Sequence, residues 1–474
     1  MKLDNIDIEA TLAKARKLLK EEEGLSPAVH ATMEMLLMLV ALLLNRVTLN
    51  SKNSSKPPSS DPNRVKSRRK PSGKPSGGQP GHVGTTLKKI DGPDEIKVLK
   101  VDRRRLPKGH QYTEVGFESR QVFDIDIRRV VTEYQAQVLE DEQGRRFVAP
   151  FPDGVDHAVQ YGHRVKAHAV YLSQYQLLPY KRIQEYFADQ LQMPLSEGSL
   201  FNFNRQAFEQ LAEFEQITRQ HLEQADVCHA DETGINIDSQ RHWLHCLSNE
   251  RWTLYLAHRK RGTEAMNAMD VLPHYQGILC HDHWKPYYTY TDCTHALCNA
   301  HHLRELTRAW EQDGQQWAKE MEDLLLKINQ AVDEQGGTLT AKQAKKYRQT
   351  YRSLLKRAEN ECPAPVRPPG CRKRGRLKRS KARNLLERLI DYEDDVLRFM
   401  EHPQVPFTNN LAERDVRMTK VQQKISGCFR SMDGALMFCR IRGYLSTCRK
   451  QGLSASDALA LVFAGKLPHF DLMG

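Results

Sequence analysis

The feature that most limits what this chain can fold into is a change of hydrophobic period at Val227. From 163 to 215 apolar positions recur at helical spacing. Pro179 to Leu191 and Ser199 to Leu211 read as two helices joined by a turn containing Pro194 and Gly198. From Val227 the apolar residues instead fall in short runs: Val227 to Ile237, Arg241 to Ser248 and Trp252 to His258. Runs of that length and alternation are strands. A helical stretch, Thr263 to Met269, and another strand-like run, Gly277 to Asp282, follow. The order β-β-β-α-β predicts a hairpin meander with a later strand returned to its edge.

That arrangement is the front half of an RNase H-like α/β domain. Residues 300–360 read as mostly helical, 363–380 as a basic loop and 384–401 as helical, and Asn409 opens one more helix. The expectation is therefore an α/β domain over 163–450 with a helical insertion at about 303–405, and a C-terminal element over 451–474.

Ahead of this domain the chain changes character twice. Residues 1–50 read as helical: a charged helix over 5–23, ended by Gly24, and a second opened by Ser26-Pro27, with Ser as N-cap and Pro at the first helical position. In the second helix Val29, Met33, Leu36, Val40, Leu43 and Val47 alternate spacings of 4 and 3, a heptad stripe. Two readings stay open: a coiled coil that makes the protein a dimer or larger, or a helix packed on its own domain. Residues 51–94 are rich in Pro, Ser, Gly and Lys and bury too little apolar surface to order alone. Over 95–160, Val122 to Ile127 and Val130 to Tyr134 alternate apolar and polar residues and predict a small β-rich module.

The net charge of +12 is concentrated. Residues 51–75 carry net +7 and residues 363–386 carry net +9, which leaves the rest slightly acidic. Two short basic segments are the electrostatic footprint expected for a polyanion, against the blander reading of two solvated tethers. The expected phosphate contacts are Lys52, Lys56, Arg64, Arg68, Arg69 and Lys70 in the first, and Arg372, Lys373 and Arg374 in the second. The 179–211 helix pair could read DNA as a helix-turn-helix, although the same pattern also serves as a packed lead-in to the next domain, the reading preferred here.

Other classes are disfavoured. The longest apolar run, Met35 to Leu44, is shorter than the ~20 residues that span a bilayer. The ten cysteines are scattered, with none before Cys228, which suits a reduced cytoplasmic protein better than a disulfide scaffold. No phosphate-binding G-x-x-x-x-G-K-[ST] loop is present.

Candidate chemistry comes from acids at element ends. Attack on a phosphodiester is well served by two divalent ions held by a few carboxylates. Asp231 ends the run Val227-Cys228-His229-Ala230-Asp231, and Asp282 ends Gly277 to Asp282. Both would stand above one sheet. Glu413 lies in the first turns of the helix opened by Asn409-Asn410, whose short side chains could cap it. Arg414, Arg417, Lys420 and Lys424 follow on nearby turns, and Arg414, Lys420 and Lys424 are expected to contact phosphates beside the ions. Glu232, Asp238, Glu401 and Asp415 are rival acids.

The surrounding residues sharpen this. Asp231-Glu232-Thr233-Gly234, His281-Asp282-His283-Trp284-Lys285-Pro286-Tyr287-Tyr288 and Cys298-Asn299-Ala300-His301-His302-Leu303-Arg304-Glu305-Leu306 resemble motifs of the insertion-sequence sixty-six family of bacterial DDE transposases. So do Ser380 to Leu386, Asn409-Asn410-Leu411-Ala412-Glu413-Arg414-Asp415, Lys424 to Arg430, and Asn53-Ser54-Ser55-Lys56-Pro57-Pro58. The resemblance covers nearly the whole chain. It implies an RNase H-like catalytic domain with a helical insertion, catalytic roles for Asp231, Asp282 and Glu413, and two Mg²⁺ or Mn²⁺ ions as cofactors. It also implies double-stranded DNA as partner (terminal inverted repeats and target) and accessory proteins encoded by the same element, and the heptad stripe adds the expectation of a homo-oligomer. One departure stands out. The family's small cysteine-built zinc module has no counterpart, since residues 83–227 contain no cysteine, so no thiolate zinc site is expected there.

Cys293, His295, Cys298, His301 and His302 form a zinc-like cluster, but the stretch reads as a helix start on which adjacent histidines cannot easily share one ion. His281 and His283 would point away from Asp282 on a strand, which favours packing roles. The expected activity is metal-dependent cleavage at the ends of a mobile element and joining of the freed 3′-hydroxyl to target DNA. The rivals are an RNase H-like nuclease that cuts without joining and an inactive copy that binds the repeats as a repressor.

Overall fold

The computed structural model describes residues 2–3, 6–22, 24–48, 50, 53, 87–366, 377 and 379–470. Two short strands, β1 (Lys2–Leu3) and β2 (Ile6–Asp7), precede helices α1 (Ile8–Glu21) and α2 (Pro27–Thr48). On α2, Val29, Met33, Leu36, Val40 and Leu43 are all exposed, between 41% and 61%, so nothing among the described residues covers the heptad stripe. Most of the linker, including Lys52, Lys56, Arg64, Arg68, Arg69 and Lys70, lies outside the described residues, as do Arg372, Lys373 and Arg374.

The β-rich expectation for 95–160 is corrected. The only strands there among the described residues are β3 (Val138–Glu140) and β4 (Arg146–Val148), a small antiparallel hairpin. Val122 to Ile127 and Val130 to Tyr134 form no strand, and Val122, Ile125, Val130 and Val131 are at least four-fifths exposed. Alternation makes a strand only where a neighbour completes the ladder and a second layer covers the apolar face, and the described residues supply neither.

Four helices lead into the sheet: α3 (His163–Val170), α4 (Tyr180–Leu191), α5 (Glu197–Gln210) and α6 (Ala212–Glu223). Ile183 and Phe187 of α4 and Leu200 and Phe203 of α5 are buried in the main core. The 179–211 pair is thus held by packing, in keeping with the lead-in reading.

The sheet that follows has strands β5 (Val227–Ile237), β6 (Gln240–Ser248), β7 (Thr253–His258), β8 (Ile278–His281) and β9 (Thr294–Leu297), in the order β7-β6-β5-β8-β9. β5, β6 and β7 are antiparallel, whereas β8 runs parallel to both β5 and β9. Asp238 and Ser239 join β5 to β6 with φ of 47° and 61°, which is the left-handed pair of a tight hairpin turn. Helix α7 (Thr263–Ala268) carries the chain across to β8. At the crossing Gly277 is required, because a Cβ there would run into the carbonyl oxygens of Ala225 and Asp226.

Both faces of the sheet are covered, and alternation decides what each face meets. Cys228 and Ala230 of β5, Leu247, Leu254 and Leu279 join a core with α3, α5, α6 and two later helices, α14 (Met432–Lys450) and α15 (Ala455–Phe463). On the opposite face Ile235, Leu244, Cys246 and Tyr255 pack against Val416 of α13 (Asn410–Ser426) and Phe438 of α14. Farther along, Ile278, Cys280 and Ala296 anchor a third core built by α8 (Asn299–Asp313), α9 (Gln316–Glu334), α10 (Ala341–Glu361), α11 (Lys381–Asp391) and α12 (Glu393–Leu397). This helical segment starts at Asn299, directly after β9. No helix among the described residues is long and apolar enough to cross a membrane.

Candidate active site

β5 presents Asp231 and Glu232 to opposite faces, and this separates their roles. Glu232 points with Ala230 toward the first core, where its carboxylate is satisfied. Arg261 donates to Oε1 through Nε at 3.0 Å and through its terminal nitrogen at 2.6 Å, and the Tyr287 hydroxyl donates to Oε2 at 2.7 Å. Arg261 is itself sandwiched between Trp243 and Trp284, 4.8 and 4.3 Å from the ring centroids. Asp231 pairs across the ladder with Cys246, on the face covered by α13.

Asp282 follows directly after the last residue of β8, on the strand parallel to β5. Its Oδ1 accepts from the Trp284 amide at 3.0 Å, which fixes the carboxylate at the strand's C-terminal end. Glu413 sits in the first turn of α13. The docking of that turn corrects the expected cap. Asn409 makes no side-chain bond to its own helix. Instead its Nδ2 donates to the Ala230 carbonyl at 2.8 Å, its Oδ1 lies 2.8 Å from His229 Nδ1, and its amide donates to Cys298 Sγ at 3.1 Å. Buried almost completely, Asn409 ties the start of α13 to the strand residues beside Asp231 and to the start of α8.

The electrostatics report the convergence. Burial pushes the Asp231 carboxyl well above the ordinary range, and the neighbouring charges of Glu232, Asp282 and Glu413 push it further. Asp231 thus lies within electrostatic reach of Asp282 and Glu413 as well as of Glu232. Asp231 lies in the middle of β5 and not at the strand end expected, while Asp282 and Glu413 are at element ends; neighbouring carboxylates are a donor type suited to hard divalent cations. The rival acids are engaged elsewhere: Asp415 with Lys450 at 2.8 Å, Glu401 with Arg348 at 2.8 Å, and Asp238 in the hairpin turn.

The opening of α8 brings in a group whose joint role the sequence reading missed. Glu413 Oε1 lies 3.9 Å from Cys298 Sγ, 3.8 Å from His301 Nδ1 and 4.0 Å from the Arg304 guanidinium. The spacing Cys-x₂-His-x₂-Arg was the available signal, since residues three apart share a helix face. Burial, then Arg304, lowers the affinity of His301 for a proton, while Asp282 and Glu413 oppose this. The five-residue zinc-like cluster does not assemble. His302 turns to Asn299 Oδ1 at 3.1 Å, and His295 bonds His281 at 3.1 Å, away from Cys298. His281, the last residue of β8, is fully buried, which fits a packing role, whereas His283 lies beyond the strand with a left-handed φ of 69°.

Of the expected phosphate contacts on α13, Arg414 and Lys424 are exposed. Lys420 is exposed as a residue too, but its ammonium donates to the Gly234 carbonyl at 2.6 Å, and partial burial lowers its proton affinity. The end of the second basic segment is also structural, since Arg379 and Arg383 are both paired with Glu387, at 2.6 and 2.9 Å.

Comparison with known proteins completes the picture. Residues 3–88 match a family of unknown function. "Uncharacterized protein y4jO" of Sinorhizobium fredii (strain NBRC 101917 / NGR234) is 39% identical over 70 residues, 15% of this chain and 22% of that protein, so the chain matches about a fifth of that relative's length. Residues 158–437, more than half of the chain, match the family described as "Transposase IS66 family". That span contains the whole sheet, Asp231, Asp282 and Glu413, and the chain belongs to the IS66 family of transposases.

Proposed function

We propose that this transposase cuts DNA at the ends of its mobile element and joins the freed 3′-hydroxyl to target DNA, with Asp231, Asp282 and Glu413 as the catalytic carboxylates of an RNase H-like domain. What supports the reading is that Asp231 on β5, Asp282 after the parallel strand β8 and Glu413 at the start of α13 bear electrostatically on one another, the other two raising the proton affinity of Asp231. The three would hold two divalent ions, Mg²⁺ or Mn²⁺. Bound there, the ions supply Lewis-acid stabilisation of the attacking and leaving oxygens.

The chain's own residues do the rest. Asn409 holds Glu413 in register with Asp231. Arg261 and Tyr287 keep Glu232 on the far face, so that a fourth carboxylate does not enter the site. Arg304, 4.0 Å from Glu413, can hold a non-bridging oxygen of the scissile phosphate, and exposed Arg414 and Lys424 can extend the grip along the backbone. The two basic segments, 51–75 and 363–386, add phosphate contacts and make binding strongly salt-dependent. The exposed stripe on α2 suits a coiled coil between copies of the chain, which would make the enzyme an oligomer acting in the cytoplasm with accessory proteins of its element.

The test is cleavage of a labelled duplex bearing the element's ends, with wild type and Asp231→Asn compared, followed by transfer of the product to a second duplex. The reading expects Mg²⁺- or Mn²⁺-dependent cutting and joining by the wild type alone. Cutting without joining would reduce the activity to that of a nuclease. Equal cutting by the Asn variant would remove Asp231 from the chemistry.

A further inference from the structure

Cys298, His301 and Glu413 bring a sulfur, an imidazole nitrogen and a carboxylate oxygen within 4.8 Å of one another. Two of the separations are 3.9 Å, Cys298 Sγ to Glu413 Oε1, and 3.8 Å, His301 Nδ1 to Glu413 Oε1. Ligands of one tetrahedral zinc ion stand about 3.3–3.8 Å apart, given Zn–N, Zn–O and Zn–S bonds of about 2.0–2.3 Å. Small side-chain shifts would therefore seat an ion.

Two further observations point to a ligand. His301 Nδ1 is buried and has no hydrogen-bond partner, a state that is costly unless something completes it. The Cys298 sulfur, at the N-cap of the 15-residue helix α8, receives the Asn409 amide at 3.1 Å and is also approached by the amides of Ala300 and His301. These amides favour the thiolate, but burial outweighs them and pushes the Cys298 thiol up to about 11, so a bound ion must displace its proton. The donor set also selects: thiolate and imidazole suit zinc-class ions, whereas Mg²⁺ takes oxygen.

We propose that Cys298, His301 and Glu413 form a binding site for a zinc-class transition-metal ion, and that an ion seated there withdraws Glu413 from Asp231 and Asp282. On binding, the Cys298 S–H proton passes to solvent and the sulfur donates its electron pair to the ion. Occupancy rests on the three side chains alone, while the consequence for activity rests on the catalytic role of Glu413 proposed above. Zinc then inhibits the enzyme that Mg²⁺ supports.

Metal-stripped full-length protein titrated with Co²⁺ tests the site. The expected result is a thiolate-to-cobalt charge-transfer band that saturates at one ion per chain and is abolished by added Zn²⁺. Cys298→Ser should remove the band, while Cys428→Ser, which alters an exposed thiol, should leave it. Far-ultraviolet circular dichroism establishes that each variant is folded. Absence of the band in the wild type, or its survival in folded Cys298→Ser, would overturn the site. If the band forms but Zn²⁺ leaves Mg²⁺-supported cleavage unchanged, the withdrawal of Glu413 is overturned and the site stands. If no metal supports cleavage, the proposed reaction fails, and the cobalt titration still decides the site.

Discussion

Replacing Asp231 by Asn should abolish cleavage and yet stabilise the metal-free protein. The wild-type carboxylate is buried, and burial together with the charges of Glu232, Asp282 and Glu413 disfavours its ionisation. Asparagine keeps the shape and removes the repelled charge. Stabilising substitutions of this kind are typically worth ~0.5–2 kcal/mol. For a domain of this size 1 kcal/mol moves Tm by ~2–4 °C, so differential scanning calorimetry in a chelator should show a rise of about 1–8 °C. The sign of the pH dependence follows. The folded carboxyl binds its proton more tightly than the unfolded one, so the wild type loses stability as pH rises from about 4, the unfolded value, through the raised folded value. The advantage of the variant should therefore be full above the raised folded value and vanish as pH falls toward 4. Saturating Mg²⁺ should reverse the ranking, since an ion at a hundredfold its Kd adds ~2.7 kcal/mol to a protein that binds it only when folded. A lower Tm for Asp231→Asn in chelator would refute the reasoning, because it would make Asp231 a hydrogen-bonded structural group instead of a repelled one.

Asn409→Ala should cost ~2–3 kcal/mol in urea unfolding, since it strips partners from buried groups at Ala230 and His229. Cleavage should fall more than tenfold while DNA affinity holds, because the change displaces Glu413 and no phosphate contact. Arg261→Ala should destabilise by ~3–5 kcal/mol by leaving the Glu232 carboxylate buried without its cation, and Glu232→Gln in the same chain should recover part of the loss in thermal melts. Arg414→Ala and Lys424→Ala should each lower the slope of log K against log salt by about 1 in fluorescence anisotropy. Lys420→Ala should leave that slope unchanged and weaken the sheet, since its ammonium is held by the Gly234 carbonyl.

The strands were legible because each carries its own signal. The run Val227 to Ile237 is long, largely buried and ended by residues that tolerate a tight turn, so its bounds match those observed. The same criterion misled over Val122 to Tyr134, where an alternating pattern has no neighbour to pair with. The expected Asn409 cap misled for a related reason: a short polar side chain can cap its own helix or bond a neighbouring strand, and local sequence weighs only the first option.

Although Asp231, expected at a strand end, lies in the middle of β5, the sequence by itself determined the order of elements, the placing of Asp282 at a strand end and of Glu413 at a helix start, and the family motifs around them. These are properties of segments, set by period and by the residues that interrupt it. Only the tertiary structure decided which acids meet. Pleat alternation sent Glu232 to Arg261 and left Asp231 facing α13, and Lys450 took Asp415 out of contention. It also decided that Lys420 serves the sheet and that Cys298, His301 and Arg304 converge on Glu413. Those choices depend on contacts between residues distant in sequence, some of them more than a hundred positions apart, as Cys298 is from Glu413 and His229 from Asn409. Spacing along the chain does not encode such contacts, because they follow from which packed faces the elements share.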